Sequence, residues 1–313
     1  MSSSTPTLVR PAYRPYLARV SAVRRLAPHF VRVSLTGPDL DVFGTAGLDQ
    51  RVKLILPGPD GTISDFGQAD PDVVDDGSWY ERWRGLADDR RNPLRTYTVR
   101  RIDADARILD IDFVLHHDAG PAGAWAAAAA VGDQLVVVGP DERSEQSRIG
   151  LDWHPGTARR VLLAGDETAA PAIASILESL DDTWHADALI EVPTADDRLP
   201  VAVPPHVRVT WLARDAAAHG RALTEAVAGW TADHRDILSR AAAPRTQPLA
   251  DLDVDRDLLW DSPDEGDGEF YAWIAGEAAT VKGLRRHLVQ ECGVDRRRVA
   301  FMGYWRLGQS ERQ

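Results

Sequence analysis

The chain has 313 residues, a length that predicts about two domains. Its 36 lysines and arginines stand against 48 aspartates and glutamates, giving a net charge of −12. This balance argues against a nucleic-acid-binding protein, because such proteins need basic surface to neutralise phosphates. The single cysteine, Cys292, excludes an internal disulfide, a zinc ribbon and an iron–sulfur cluster held by cysteines.

Neither a signal peptide nor a membrane span is predicted. The first residues, MSSSTPTLVRPAYRP, contain no apolar segment of the signal-peptide type. The longest apolar stretch, residues 124–131, is too short to cross a bilayer. We therefore expect a cytoplasmic protein that does not insert into a membrane.

The first half of the chain has the pattern of an antiparallel β-barrel. Apolar and β-branched residues are concentrated in six short segments, at residues 15–26, 30–36, 51–56, 95–101, 108–115 and 134–138. Glycine and proline separate these segments, and one helical stretch covers residues 123–130. We predict a six-stranded barrel domain over residues 1–145, in which the polar stretch 65–91 is a long loop with room for one short helix.

In the second half, strands alternate with helices. Strands are predicted at residues 159–167, 188–192, 207–212, 270–275 and 299–303, and helices at 168–180, 222–230 and 280–291. This alternation predicts an open parallel α/β sheet over residues 155–313, with the domain boundary inside 141–157. The acidic segment 235–268 is expected to be an exposed, partly ordered insertion.

Two segments of the barrel could bind a ligand. On the strand RTYTVR, alternation places Arg95 and Tyr97 on one face, where a guanidinium beside an aromatic ring suits a ligand with phosphates and a planar ring. The turn that follows His116 and His117 opens a helix with small residues, which suits an anion. On composition alone, an ordinary amphipathic strand explains the first segment better, and a plain strand-to-helix turn explains the second at least as well. A metal site at the two histidines is disfavoured, since neighbours on an extended chain point apart.

Glycine–acid turns follow two strands of the predicted sheet, in the sequences AGDETAAPA (164–172) and AGEA (275–278). Open α/β sheets bind ligands beyond the carboxyl ends of their strands, so these turns are the expected nucleotide position. Thr168 could equally be a helix N-cap. The aromatic pair of the terminal FMGYWRLG either caps the sheet or shields a planar cofactor.

Together these segments resemble the siderophore-interacting proteins, a family of FAD-dependent ferric-siderophore reductases in the ferredoxin-reductase-like superfamily. The matching pieces, in order, are RVKLILP (51–57), RTYTVR (95–100), DFVLHHDAGPAGAWA (112–126), AGDETAAPA (164–172), WIAGEA (273–278) and GYWRLG (303–308). The chain departs from the family pattern at His117, where the family has glycine, and at Ala170, where it has leucine. The resemblance implies a flavin-binding barrel followed by a nicotinamide-nucleotide domain.

The resemblance also implies roles for individual residues. Arg95 would hold the phosphates of FAD, Tyr97 would stack against its flavin ring, and Thr98 would bond near the ring's reactive edge. The remaining flavin contacts would come from Thr96, Asp112, Phe113, Val114, Leu115, His116, His117, Gly120, Ala122, Gly123, Ala124, Trp125, Tyr304 and Trp305. NADH or NADPH would bind at Asp166, Glu167, Thr168, Gly276 and Glu277, while Lys53 and Arg306 would offer positive charge to a ferric siderophore.

The implied activity is NAD(P)H-dependent reduction of an imported ferric siderophore, with release of Fe(II). A flavin would carry the chemistry, so neither an acid–base residue nor a resident metal is predicted. Two alternatives stay open: a related flavin reductase that serves a ferredoxin, a flavodoxin or free flavin, and a carrier that binds the siderophore without reducing it. An electron-donor protein is compatible with either enzyme. The choice of nucleotide is also open, because Glu191 would repel a 2′-phosphate whereas Arg198 and Arg214 could bind one.

Overall fold

A computed structural model describes residues 10–116, 120–249, 257–264 and 268–309. Its first sheet is an antiparallel half-barrel of seven strands in the order β4-β3-β7-β1-β2-β6-β5. The strands are β1 (Tyr13–Ala27), β2 (Phe30–Thr36), β3 (Arg51–Ile55), β4 (Leu94–Thr98), β5 (Arg101–Asp103), β6 (Ile108–Val114) and β7 (Gln134–Pro140). The predicted barrel class is confirmed, with one strand more than expected.

The additional strand arises because the predicted segment 95–101 divides at Val99 and Arg100. The N–H of Val99 donates to the carbonyl of Gln50 beside β3, whereas the N–H of Arg100 donates to the carbonyl of Asp110 in β6. The chain therefore changes partners between two adjacent residues, and β4 and β5 lie at opposite edges of the sheet. The hydrophobic pattern continues across this point, so it gives no sign of the division.

The stretch 65–91 contains two short helices, α1 (Pro71–Asp76) and α2 (Trp79–Arg84), so the expectation of a long loop with at most one helix is wrong. Phe66, Trp79 and Trp83 are buried against Ile55 of β3 and Leu94 of β4. The stretch thus covers the outer face of the half-barrel. A third helix, α3 (Pro121–Ala128), packs against β2 and β6.

The second sheet has six strands in the order β10-β9-β8-β12-β13-β11. They are β8 (Arg160–Gly165), β9 (His185–Val192), β10 (Val207–Ala213), β11 (Trp260–Asp261), β12 (Phe270–Glu277) and β13 (Val299–Trp305). The first five strands of this order are parallel, as predicted, but β11 is antiparallel, so the sheet is mixed. β11 belongs to the segment 235–268 that was expected to be an exposed insertion.

Helices cover both faces of this sheet. Helix α4 (Ala170–Glu178) lies on the face that also meets the half-barrel, while α5 (Arg221–Asp233), α6 (Arg235–Arg240) and α7 (Ala278–Arg286) share a core on the other face. A π-helical turn, His287–Glu291, extends α7. Because Ile237 and Leu238 of α6 are buried in that core, segment 235–268 is in part structural. Within the described ranges, no helix is long and apolar enough to cross a membrane.

The two sheets meet across a shared core and a buried carboxylate. Ala27 and Phe30 of the half-barrel belong to the same apolar cluster as Trp153 and Trp273. Asp49, which is 1% exposed, accepts hydrogen bonds from the N–H groups of Asp152 and Trp153 and from the indole of Trp273 at 2.9 Å. Burial, reinforced by the charge of Asp152, raises the pKa of Asp49 to about 6.

This raised pKa predicts a pH-dependent contribution to stability. Because the folded pKa of Asp49 lies above its ordinary value of 3.8, the folded state retains a proton that the unfolded chain releases, and the associated stability is lost as the pH rises through about 6. Relative to Asp49→Asn, the wild-type protein should lose roughly 1–2 kcal/mol of unfolding free energy between pH 5 and pH 8. Urea unfolding at both pH values measures this difference, and a pH-independent difference would contradict it.

Candidate functional site

An aromatic row connects the β4 strand to helix α3. The rings of Tyr97 and Phe113 lie 4.5 Å apart, and those of Phe113 and Trp125 lie 5.7 Å apart. Register pairs Tyr97 with Val52 and Arg95 with Leu54, so both predicted flavin ligands lie on the same face of the ladder. Arg95 is half-buried and donates to the carbonyl of Leu94 at 2.8 Å.

The first turn of α3 can receive an anion. Gly120 is its N-cap and provides no side-chain acceptor, and a Cβ built on this glycine would meet nothing within 4 Å in the described structure. The first N–H groups of a helix have no acceptor inside it, so those of Ala122 and Gly123 are available to a ligand. The guanidinium of Arg95 and the N-terminus of α3 can donate to phosphates, and the row of rings can pack against a flavin. Together these groups fit FAD. His117 lies outside the described residues.

Asp112 is an internal ion-pair partner. Its carboxylate accepts two hydrogen bonds from Arg32, at 2.6 and 2.8 Å, and lies 3.7 Å from the guanidinium of Arg100. Arg100 also makes a two-point contact with Glu178 of α4, at 2.7 and 2.8 Å. This network joins the half-barrel to the second sheet, so only the backbone of Asp112 is left for a flavin.

The two glycine–acid turns meet beside each other. The chain runs from β8 outward to β10 and then returns to β12 on the other side of β8, which makes the gap between β8 and β12 the switch point of the sheet. Asp166 follows β8, and its carboxylate accepts from Thr168 (N–H at 2.9 Å and hydroxyl at 2.5 Å), from the N–H of Glu277 at 2.8 Å and from the indole of Trp305 at 2.9 Å. A Cβ at Gly276, where φ is +145°, would lie 2.6 Å from this carboxylate.

Glu167 belongs to a chain of buried ion pairs. Arg214 donates to both of its carboxylate oxygens, at 2.9 and 3.0 Å, and also to Glu191 at 3.1 Å. Burial alone would raise the pKa of Glu167, but contacts with His219 and Arg214 hold it at about 2. Glu191 is fully buried and accepts from the N–H groups of Gly220 and Leu223 at the start of α5. Glu191 is therefore buried, and the guanidinium of Arg214 is occupied by two carboxylates.

Two histidines flank the indole of Trp305. The ring of His116 lies 5.9 Å from it, and the ring of His219 meets it edge-on at 5.0 Å. Burial lowers the pKa of His116. For His219 burial acts in the same direction, but Glu167 and Asp166, at 3.6 and 3.7 Å, outweigh it and raise the pKa. Sequence reasoning missed His219, because nothing before α5 distinguishes it from an ordinary loop histidine.

Tyr304 and Trp305 lie in different surroundings. Tyr304 stacks on Trp260 with ring centres 5.8 Å apart, and the guanidinium of Arg51 lies 4.3 Å above the same Trp260 ring. Of the two predicted aromatics, Trp305 is therefore the one beside Asp166, while Tyr304 packs between the two sheets.

The two predicted substrate cations are not beside Arg95. Lys53 lies opposite Thr96, on the face of the β3·β4 ladder that faces away from Arg95 and Tyr97, and its ammonium donates to the Thr96 hydroxyl at 3.3 Å. Arg306 donates to the carbonyl of Asp257 at 2.6 Å. In the described part of the chain, no group of three histidine, cysteine, aspartate or glutamate side chains could hold a metal ion.

A cavity of about 630 Å³ opens between the first turns of α5 and α7. Its wall includes His219, Arg221 and Glu225 from one side and Glu277 and Thr280 from the other. Neither ring nitrogen of His219 meets a hydrogen-bond partner among the described residues. The cavity lies on the carboxyl edge of the sheet, next to the switch point.

The fold is that of ferredoxin-reductase-like proteins. A solved ferredoxin reductase of a carbazole dioxygenase shares the fold at a TM-score of 0.59 and 15% identity, over 94% of this chain and 71% of that one. Two family models match: "Siderophore-interacting FAD-binding domain" over residues 19–144 and "Siderophore-interacting protein" over residues 158–308. The chain belongs to the siderophore-interacting protein family.

Individual relatives agree with this assignment. The chain is 27% identical to the ferric vibriobactin reductase ViuB of Vibrio cholerae, over 95% of this chain and 92% of that protein. It is 30% identical to a siderophore utilization protein of T. fusca, whose crystal structure superposes at a TM-score of 0.66 over 98% of both chains. The division into domains at residues 145–155 stays a prediction.

The contacts of Asp166 generate a stability prediction. In Asp166→Asn the amide nitrogen would face two of the present donors, so the free energy of unfolding should fall by about 2–4 kcal/mol. Asp181 offers a matched control, because its carboxylate accepts from the N–H and hydroxyl of Thr183 in the same way but lies on the surface. Asp181→Asn should change little. Similar urea midpoints for the two variants would contradict the importance of the buried carboxylate.

Proposed function

We propose that the protein is a cytoplasmic NAD(P)H:ferric-siderophore oxidoreductase that uses FAD and releases iron as Fe(II). The observation that carries the proposal is the convergence of its two ligand regions. His116, at the end of the strand that borders the flavin region, lies 3.9 Å from Glu167 at the switch point of the second sheet and 5.9 Å from the Trp305 ring. A nucleotide at that edge and a flavin at the half-barrel would meet beside Trp305.

The residues that would hold FAD come from two elements, β4 and the first turn of α3. Arg95 and the first turn of α3 would bind its phosphates, and Tyr97 would lie against its ring. Thr98, the buried last residue of β4, would bond at the ring's edge. When bound, FAD accepts the two electrons of a hydride together and releases them singly, which matches a two-electron donor to one-electron Fe(III).

The second sheet would orient the nucleotide. The carboxylate of Asp166 accepts hydrogen bonds from the turn after β8, from the end of β12 and from the indole of Trp305. These three groups therefore keep a constant spacing. Trp305, restrained between His116 and His219, would exclude water from the gap between nucleotide and flavin. Reduction of the ferric siderophore needs no proton transfer by a side chain, so we assign no general acid or base.

The experiment that tests the proposal is anaerobic flavin spectroscopy. The purified yellow protein should bleach with NADH or NADPH and regain its colour when a ferric siderophore is added, with Fe(II) trapped by a chromogenic chelator. A protein that never bleaches with either donor but binds ferric siderophore would be a carrier. Bleached protein that is reoxidised by a ferredoxin or by free flavin, and not by ferric siderophores, would be the related reductase.

Arg95 gives a prediction about the cofactor. A charged donor to a phosphate contributes roughly 1.5–3 kcal/mol, so Arg95→Ala should weaken FAD binding roughly 10–150-fold. Arg101→Ala is the control, since this arginine lies close by in sequence with a side chain that is 66% exposed. Titration of the apoprotein with FAD, followed by flavin fluorescence, measures both affinities. Equal affinities for the two variants would remove Arg95 from the flavin site.

Lys53 gives a prediction about the substrate. A protein of net charge −12 needs local positive charge to attract an anionic ferric siderophore. Because Lys53 lies on the face of the ladder opposite Arg95 and Tyr97, the family resemblance alone supports its role here. A substrate role for Lys53 predicts that Lys53→Ala raises KM for an anionic ferric siderophore roughly 5–50-fold, less at high salt, and leaves reduction by NAD(P)H unchanged. Lys53→Arg keeps the charge and should behave like the wild type. An equal loss with an uncharged ferric chelate would exclude Lys53 from the substrate site.

A further inference from the structure

The cavity between α5 and α7 has the properties of a ligand site. It lies at the carboxyl ends of parallel strands, where open α/β sheets bind nucleotides, and two helices of 13 and 9 residues begin at its wall. His219 lines it with a side chain that is only 10% exposed and with ring nitrogens that make no hydrogen bond within the described structure. Its Nε2 lies 3.7 Å from Asp166 and 3.6 Å from Glu167, so the imidazole is held at the wall by these two carboxylates.

The position that commonly recognises the ribose is used for another purpose here. In dinucleotide-binding sheets, an acidic residue after the second strand accepts from the ribose 2′-hydroxyl, or an arginine nearby binds the 2′-phosphate. In this protein Glu191, the second-last residue of β9, is buried under the start of α5, and Arg214 is held by Glu167 and Glu191. Neither Glu191 nor Arg214 is therefore available to read the ribose, while Arg198, the other arginine of the sequence prediction, is exposed after β9.

The cavity wall carries other charged residues. Arg221 donates to Glu225, one helical turn later, at 2.8 Å, and both side chains are about two-thirds exposed. Glu277 caps the start of α7 by accepting from the N–H of Thr280 at 2.9 Å. The described wall thus carries two carboxylates, one guanidinium that is already paired, and the imidazole of His219, which lies beside the buried Asp166 and Glu167. Beside Glu225, a 2′-phosphate would meet a carboxylate and a guanidinium that is already paired, whereas ribose hydroxyls could donate to that carboxylate.

We propose that this cavity binds the adenosine diphosphate portion of the nicotinamide nucleotide and that Glu225 selects NADH against NADPH. The proposal rests on the function proposed above, since it concerns the electron donor of that reaction. Glu225 acts in two ways: it occupies the guanidinium that would otherwise bind a 2′-phosphate, and it repels that phosphate directly. It is a specificity residue and takes no part in electron transfer.

Binding of nucleotide fragments to the FAD-loaded protein tests the proposal without turnover. Saturation-transfer NMR with ADP and 2′,5′-ADP isolates the effect of one phosphate, and bound FAD keeps the fragments out of the flavin site. ADP should bind at least tenfold more tightly than 2′,5′-ADP. In Glu225→Gln this ratio should fall at least threefold. Glu291→Gln is the matched control, because Glu291 is similarly exposed and lies near an arginine of α7 but is not on the cavity wall. In this variant the ratio of the ADP and 2′,5′-ADP affinities should stay that of the wild type.

Anaerobic rapid mixing supplies the second measurement. Flavin reduction by NADH should show a lower apparent Kd than reduction by NADPH, with Glu225→Gln narrowing the difference. Equal or tighter binding of 2′,5′-ADP, no fragment binding at all, or the same ratio in Glu225→Gln would each overturn the proposal. If the fragments are discriminated as expected but reduced flavin never passes electrons to a ferric siderophore, the proposed function fails and the nucleotide site stands.

Discussion

Four hydrogen bonds converge on the carboxylate of Asp166, and the arrangement of the site depends on them. One oxygen accepts from the backbone and hydroxyl of Thr168, and the other accepts from Glu277 and Trp305, so a single buried group connects the ends of β8, β12 and β13. Burial and the neighbouring Glu167 raise its pKa. A buried carboxylate is costly unless it is well bonded, and these donors offset that cost. The same contacts that stabilise the sheet edge also fix its geometry.

Several features of this site could be predicted because their signals are local. Strand, glycine–acid turn and helix follow one another within a dozen residues at Asp166, and again at Glu277. The aromatic Tyr97 and the basic Arg95 are two residues apart on one strand, so alternation alone placed them on the same face. The family pattern then linked these pieces in the correct order.

Other features depend on contacts between residues that are distant in the sequence. Arg214 was a candidate phosphate ligand until the structure placed it between Glu167 and Glu191, which are 47 and 23 residues away. The division at Val99 and Arg100 depends on a change of backbone partner that no side-chain pattern records. Helices α1 and α2 have six residues each and are stabilised by packing on β3 and β4, so their own periodicity was too short to detect.

The two residues of β11 have a consequence for how the molecule behaves in concentrated solution. An unpaired edge of a parallel sheet exposes backbone donors and acceptors that can recruit a strand from another molecule. Trp260 and Asp261 pair with Phe301 and Met302 at the outer edge of β13, and the stretch that carries them is rich in acidic residues. This pairing occupies that part of the β13 edge, so a strand from another molecule cannot add there.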